Sequence, residues 1–168
     1  ASTHAAVSWK VDQSRPSSFL FKGYQAVYRP SVIGHYTRLA YDRSQPWEKP
    51  IPYFNHFVSD VTVTQPKAYL IPQAWRAVIE RLQWNGVQMQ RVEKAQMLEV
   101  QAYQIESVQS RPHAYEGHLF HDQLTLVSRQ QTVQAEPGDY LIALNQPQAR
   151  YVMETLEPQA HDSFFRWG

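Results

Sequence analysis

The stretch KAYLIPQAWRAVIERLQWNGVQMQRVE, residues 67–93, decides how the chain is read as a fold. KAYLIP is a short apolar run closed by Pro72, which has no N–H to give a sheet ladder. From Gln73 the period changes. Trp75, Val78, Ile79 and Leu82 recur three and four apart, as one stripe of a helix does, and Asn85-Gly86 is a stop signal. VQMQRVE then returns to alternation through Val87, Met89 and Val92. The spacing predicts strand 67–71, helix 73–85 and strand 87–93, a βαβ unit with parallel strands and a right-handed crossover. The Trp75 stripe at this spacing is expected to face a core rather than to form a ligand box.

Towards the C-terminus the period is two. MLEVQAYQIESV sets Leu98, Val100 and Ala102 on one face, and HLFHDQLTLVSRQQTVQ follows after a loop. These runs are expected to pair antiparallel, 97–108 with 117–128. EPGDYLIAL is a Pro-Gly turn leading into a further apolar strand. NQPQARYVMETLEP predicts a second helix near 147–156, with Pro147 in its first turn, Tyr151, Val152 and Leu156 inward, and Pro158 beyond its end. Glu154 and Glu157 are expected on its solvated face. The fold class read from these elements is α+β, a mixed β-sheet carrying the βαβ unit, the antiparallel pair and two helices, over residues 67–168.

Residues 1–66 differ. They hold six prolines, at 16, 30, 46, 50, 52 and 66, and an aromatic ring every few residues. SSFLFKGYQAVY reads as a strand with Phe19 and Phe21 on one face and a break at Gly23. RSQPWEKPIPYFNH reads as an extended, proline-punctuated segment that wraps over a surface instead of joining a sheet. The region is expected to pack on the 67–168 domain or on a catalytic domain absent from these residues.

Composition excludes several classes. The chain has 168 residues, 43% of them hydrophobic and 13% aromatic, enough for a real core. Its net charge of +1 comes with no basic face, so nucleic acid is not expected as a partner. It has no cysteine, which removes disulfides and thiolate zinc sites. No apolar run approaches the roughly 20 residues that span a bilayer as a helix. ASTHAAVSW lacks the basic and apolar parts of a signal peptide.

The one stretch dense in chemistry is YEGHLFHD, residues 115–122, with Glu116, His118, His121 and Asp122. If 117–127 is a strand, His118 and His121 point to opposite faces and cannot close on one metal. No metal, cofactor or catalytic residue is therefore assigned there. Ser110, Ser128 and Ser163 lack the glycine-flanked elbow of serine hydrolases, and the six glycines form no phosphate loop. A cryptic enzyme built on Glu116 and His118 would need a third ligand.

FKGYQAVYRPS, YDRSQPWEKPIPYFNHF, PKAYLIPQAWRAVIERLQWNGVQMQRVEK, EVQAYQIESV, RPHAYEGH and PGDYLIALNQPQARYVMETLEPQAHDSFFRWG occur in order. Together, over about 20–168, they resemble the region after the catalytic domain in bacterial M14-family zinc carboxypeptidase-like proteins. The resemblance implies a periplasmic or secreted metallopeptidase, a hydrolase whose zinc is held by a His-x-x-Glu pair and a later His. Of the seven histidines only His113 has that spacing, to Glu116, and none of the family's catalytic residues is carried over to it. The implication is that this chain is the non-catalytic C-terminal domain. Zinc, and proteolysis of peptides or peptide-bearing cell-wall material, would belong to a missing catalytic domain. That domain, of the same protein, is the expected partner. The expected interaction surface is Trp47, Tyr53, Phe54, Phe57, Phe164, Phe165 and Trp167. An independent glycan- or peptide-binding module is the alternative, with Trp47, Tyr53 and Trp84 as a platform.

Overall fold

In the computed structural model, which describes residues 3–168, strands alternate with only three short helices. In chain order these are β1 (His4–Val11), β2 (Ser17–Pro30), β3 (Thr37–Tyr53), β4 (Phe57–Thr64), β5 (Ala68–Ile71), α1 (Arg76–Trp84), β6 (Gln90–Arg91), β7 (Gln96–Ser110), β8 (His121–Ala135), β9 (Tyr140–Ala143), α2 (Ala149–Leu156) and α3 (Phe164–Trp167). Strands make up 54% of the described residues and helices 13%. The molecule divides into two units: Lys10–Val58, and residues 3–9 with Ser59–Gly168.

The α+β reading with a βαβ unit is overturned. A strand, a helix and a second strand do follow one another, but the second, β6, has two residues. β5 and β6 do not pair with each other; each pairs antiparallel with β9, which lies between them. The rest of the β structure is three separate two-stranded ribbons, β1–β4, β2–β3 and β7–β8. Helical periodicity over a dozen residues identified α1 but could not count the strands around it. The antiparallel pair forms, with β8 running 121–135 rather than 117–128, because Gly117 and Glu116 make a turn of the preceding residues.

The core lies in the larger unit. Val7, Val63, Ile71 and Ile142 from strands, with Leu144 just after β9, meet Ile79 and Leu82 of α1 and Val152 and Met153 of α2. Trp75 does not join them. It is the residue before the first helical turn, with ψ 53°, and 62% of it is exposed. The stripe that enters the core is Val78, Ile79 and Leu82, since only residues inside the helix keep the 3.6-residue phase.

The smaller unit holds β2 and β3, paired in register from Ser17↔Tyr53 to Pro30↔Thr37 with one irregularity after Tyr24. RSQPWEKPIPYFNH was expected to avoid sheet; its greater part is β3. Pro46, Pro50 and Pro52 sit opposite Tyr24, Leu20 and Ser18. All three have the same parity, so their missing N–H positions fall on one edge of β3, away from β2, and the ladder survives.

Candidate functional site

The seven aromatic residues expected to form one surface fall on the two units. Trp47 and Tyr53 are on β3, with Phe54 and Phe57 following, in the smaller unit. Phe164, Phe165 and Trp167 make α3 in the larger one.

On the β2–β3 ribbon the register puts Phe19, Phe21 and Gly23 on the same face as Trp47, Lys49, Ile51 and Tyr53. The rings pair diagonally across strands: Phe19 with Tyr53 at 5.6 Å between centroids, and Phe21 stacked on Trp47, also at 5.6 Å. Gly23 is no break. A Cβ there would meet the indole of Trp47 at 2.9 Å, so the glycine makes room for the ring that lies over it. The four rings stay 39–49% exposed. Two strands alone cannot bury a face, and such ribbons are marginal in water unless something packs on them.

In the larger unit the C-terminal rings are half-buried. Trp167 meets Phe120 and the edge of His118, and Phe165 lies on His121 at 5.3 Å. YEGH is a two-residue turn: Tyr115 and His118 exchange both backbone hydrogen bonds, and Glu116 and Gly117 have φ of 49° and 82°. Arg111 pairs with Asp122 at 3.0 Å, which raises the pKa of the already basic guanidinium, and it lies over the Phe120 ring. Ser110 Oγ is 2.7 Å from Nδ1 of His121, directly across the β7–β8 ladder. That contact closes the ribbon's end. A serine nucleophile would need a base nitrogen held from its far side by a carboxylate, and no such bond to His121 occurs among the described residues. No three His, Asp or Glu side chains there form a metal ligand set.

The third feature was missed by the sequence reading. Glu157 was assigned to a solvated helix face with Glu154; it is 2% exposed. Glu154 is half-buried and pairs with Arg150 one turn back. Glu157 caps the C-terminal end of α2, where Pro158 forces extended geometry. Its two carboxylate oxygens accept from Tyr69 Oη at 2.5 Å and Tyr103 Oη at 2.9 Å. Burial, followed by the hydrogen bond and charge of Glu157, pushes the Tyr69 phenol far above its ordinary value. Burial and then the Glu157 charge do the same to Tyr103. No lysine, arginine or histidine is paired with Glu157 among the described residues. The three side chains line a cleft of about 710 Å³ between β5 and β7, in the size range of ligand sites. The available signal was a glutamate placed between Leu156 and Pro158, at the end of a helix where the dipole disfavours an anion.

Over 109 residues, 64% of its length, the chain is 34% identical to carboxypeptidase 2 of Trichophyton rubrum. It is 33% identical to carboxypeptidase 2 of Trichophyton tonsurans over 109 residues, and 31% identical to a probable carboxypeptidase 2 of Arthroderma benhamiae over 103 residues. The matches cover 20%, 20% and 19% of those proteins, so the chain spans about a fifth of the curated relatives it matches. The likeness supports a carboxypeptidase-like protein of which these residues resemble a short part, and the relatives are fungal. No family model and no solved structure matches the chain.

Proposed function

We propose that the chain is the non-catalytic C-terminal domain of a bacterial, periplasmic or secreted zinc carboxypeptidase-like protein of the M14 type. Its role is to pack on the catalytic domain of the same protein, stabilising it and helping place the peptide or cell-wall substrate. Zinc and the hydrolytic residues belong to that other domain. The likeness to a fifth of carboxypeptidase 2 supports the parent class. The observation that carries the packing role is the Phe19–Tyr53 and Phe21–Trp47 face of the β2–β3 ribbon. A sugar platform would need coplanar rings with polar neighbours. These pairs are inclined at 42° and 29°, and Ile51 and the single Lys49 share their face, a mainly apolar stripe that favours packing over glycan binding.

The test uses the parent protein with Phe21→Ser and Trp47→Ser together. Weakened interdomain packing should lower its melting temperature and reduce cleavage of a peptide with a free C-terminal carboxylate. The chain alone should not hydrolyse that peptide, with or without added zinc. Unchanged stability and activity in the double variant would remove the packing role. Chelator-sensitive hydrolysis by the chain alone would remove the non-catalytic one.

A further inference from the structure

The cleft beside Glu157 has strand edges for walls. Among the described residues β5 pairs with β9 on one side only. Leu144 N–H donates to the Lys67 carbonyl, which fixes the phase of that ladder. In the observed register Tyr69/Ile142 and Ile71/Tyr140 are then the hydrogen-bonded pairs, and Ala68 and Leu70 turn their N–H and C=O groups away from β9. β7 is likewise paired on one side only, with β8. Six consecutive residues of β7, Leu98 to Tyr103, line the cleft. A strand that offered only its face would contribute every second residue; a run from both faces means the cleft reaches its edge, while Gln131 and Val133 of β8, opposite Val100 and Leu98, line it from the ribbon's face. An open edge is a row of unpaired donors and acceptors ready to template another strand.

Beside these edges sits a buried carboxylate whose charge is uncompensated. Two phenol donors occupy two of the roughly four acceptor positions of Glu157 and leave its charge whole. Its place at the C-terminal end of α2 makes the local field still less favourable to an anion. Both facts point to a cation.

We propose that this cleft takes an extended peptide segment. The segment adds as a strand to the outward backbone groups of Ala68 and Leu70 and sets an ammonium or guanidinium group against Glu157. The outward run of β5 is four residues, about 13 Å of strand, which limits recognition to a short segment. Backbone pairing supplies affinity in this mode and the charged contact supplies selectivity. The inference does not depend on the docking role of the β2–β3 ribbon.

The experiment is a fluorescence-anisotropy titration of the chain with short labelled peptides of alternating Ser and Val carrying one central lysine, N-acetylated and C-amidated. Comparators replace lysine by glutamate, replace it by norleucine, methylate alternate backbone nitrogens, or replace it by serine while freeing the N-terminal amine. The lysine peptide should bind saturably. Norleucine, glutamate and N-methylation should each weaken it by at least about tenfold, as should Glu157→Gln in the protein. Binding by the free-amine peptide alone would assign the cation to a chain terminus and still support the site. Equal binding of the glutamate or N-methylated peptides would overturn the proposal. So would failure of both cationic peptides to bind the folded wild-type chain. These peptide arms decide the matter even if Glu157→Gln fails to fold.

Discussion

Replacing Glu157 by leucine and Tyr69 by phenylalanine, singly and together, measures how the buried carboxylate is held. Tyr69 Oη donates at 2.5 Å to an oxygen of a residue that is 2% exposed. A hydrogen bond to a charged acceptor contributes about 1.5–3 kcal/mol, so Tyr69→Phe should cost about that much. Glu157→Leu removes a buried charge that has no cation, a change that can itself be neutral or favourable. It also strands the hydroxyls of Tyr69 and of the more exposed Tyr103 without their acceptor, and the loss at Tyr69 costs about 1–3 kcal/mol. In the double variant nothing polar is left unsatisfied at that bond. The two effects should therefore not add, and the double variant should be at least as stable as the weaker single one. Urea unfolding followed by circular dichroism gives each free energy, provided the slopes agree. Additivity within about 0.5 kcal/mol would mean that the bond does not couple the two residues and that the reasoning is wrong.

Leu82→Ala should cost about 2–5 kcal/mol, because Leu82 is wholly buried between α1 and the sheet, whereas Trp75→Ala should change stability by no more than about 0.5 kcal/mol; thermal melts of the two variants check both. Asp139→Ala should cost about 2–3 kcal/mol, since the carboxylate accepts from the backbone N–H groups of Gln73 and Glu136 and loses both bonds; urea midpoints would show it. Stability should also fall at alkaline pH. Tyr69 and Tyr103 have folded pKa values raised above the ordinary 10.0, so the unfolded chain gives up their protons first. Their contribution is whole below pH 10.0 and declines as pH rises beyond it, as the drop in urea midpoint between about pH 9 and about pH 11 should show. The Tyr69→Phe, Tyr103→Phe variant should show a smaller drop.

Local chemistry was legible in the sequence and partnership was not. α2 was readable from Pro147 in its lead-in and Pro158 after its end, and the turn at Glu136–Asp139 from Pro137-Gly138, whose closing hydrogen bond runs from Asp139 N–H to the Glu136 carbonyl. The alternation of β7 and β8 gave their pairing, because the period of two survives whatever lies on the other face. β3 was misread because three prolines in seven residues look like a chain that cannot join a ladder. That inference assumes a strand with neighbours on both sides. In a two-stranded ribbon every strand is an edge, and prolines of one parity cost no ladder bond.

The same logic explains why the aromatic ladder and the Glu157 cleft escaped composition and periodicity. Phe19, Phe21, Trp47 and Tyr53 alternate as buried residues do, yet the structure leaves them open, since exposure depends on how many layers the chain brings to a face. Glu157 carries a charge and follows a helix, and both features suggest solvent. Its burial arises because β5, β7 and α2, far apart in sequence, each bring one oxygen-bearing side chain to one point. A carboxylate fixed by two phenols and left without a counter-charge is a costly arrangement if the fold is its only purpose. Stability alone would be served as well by leucine and two phenylalanines, so the cost is what singles out the cleft, rather than the ribbon, for the proposed peptide site.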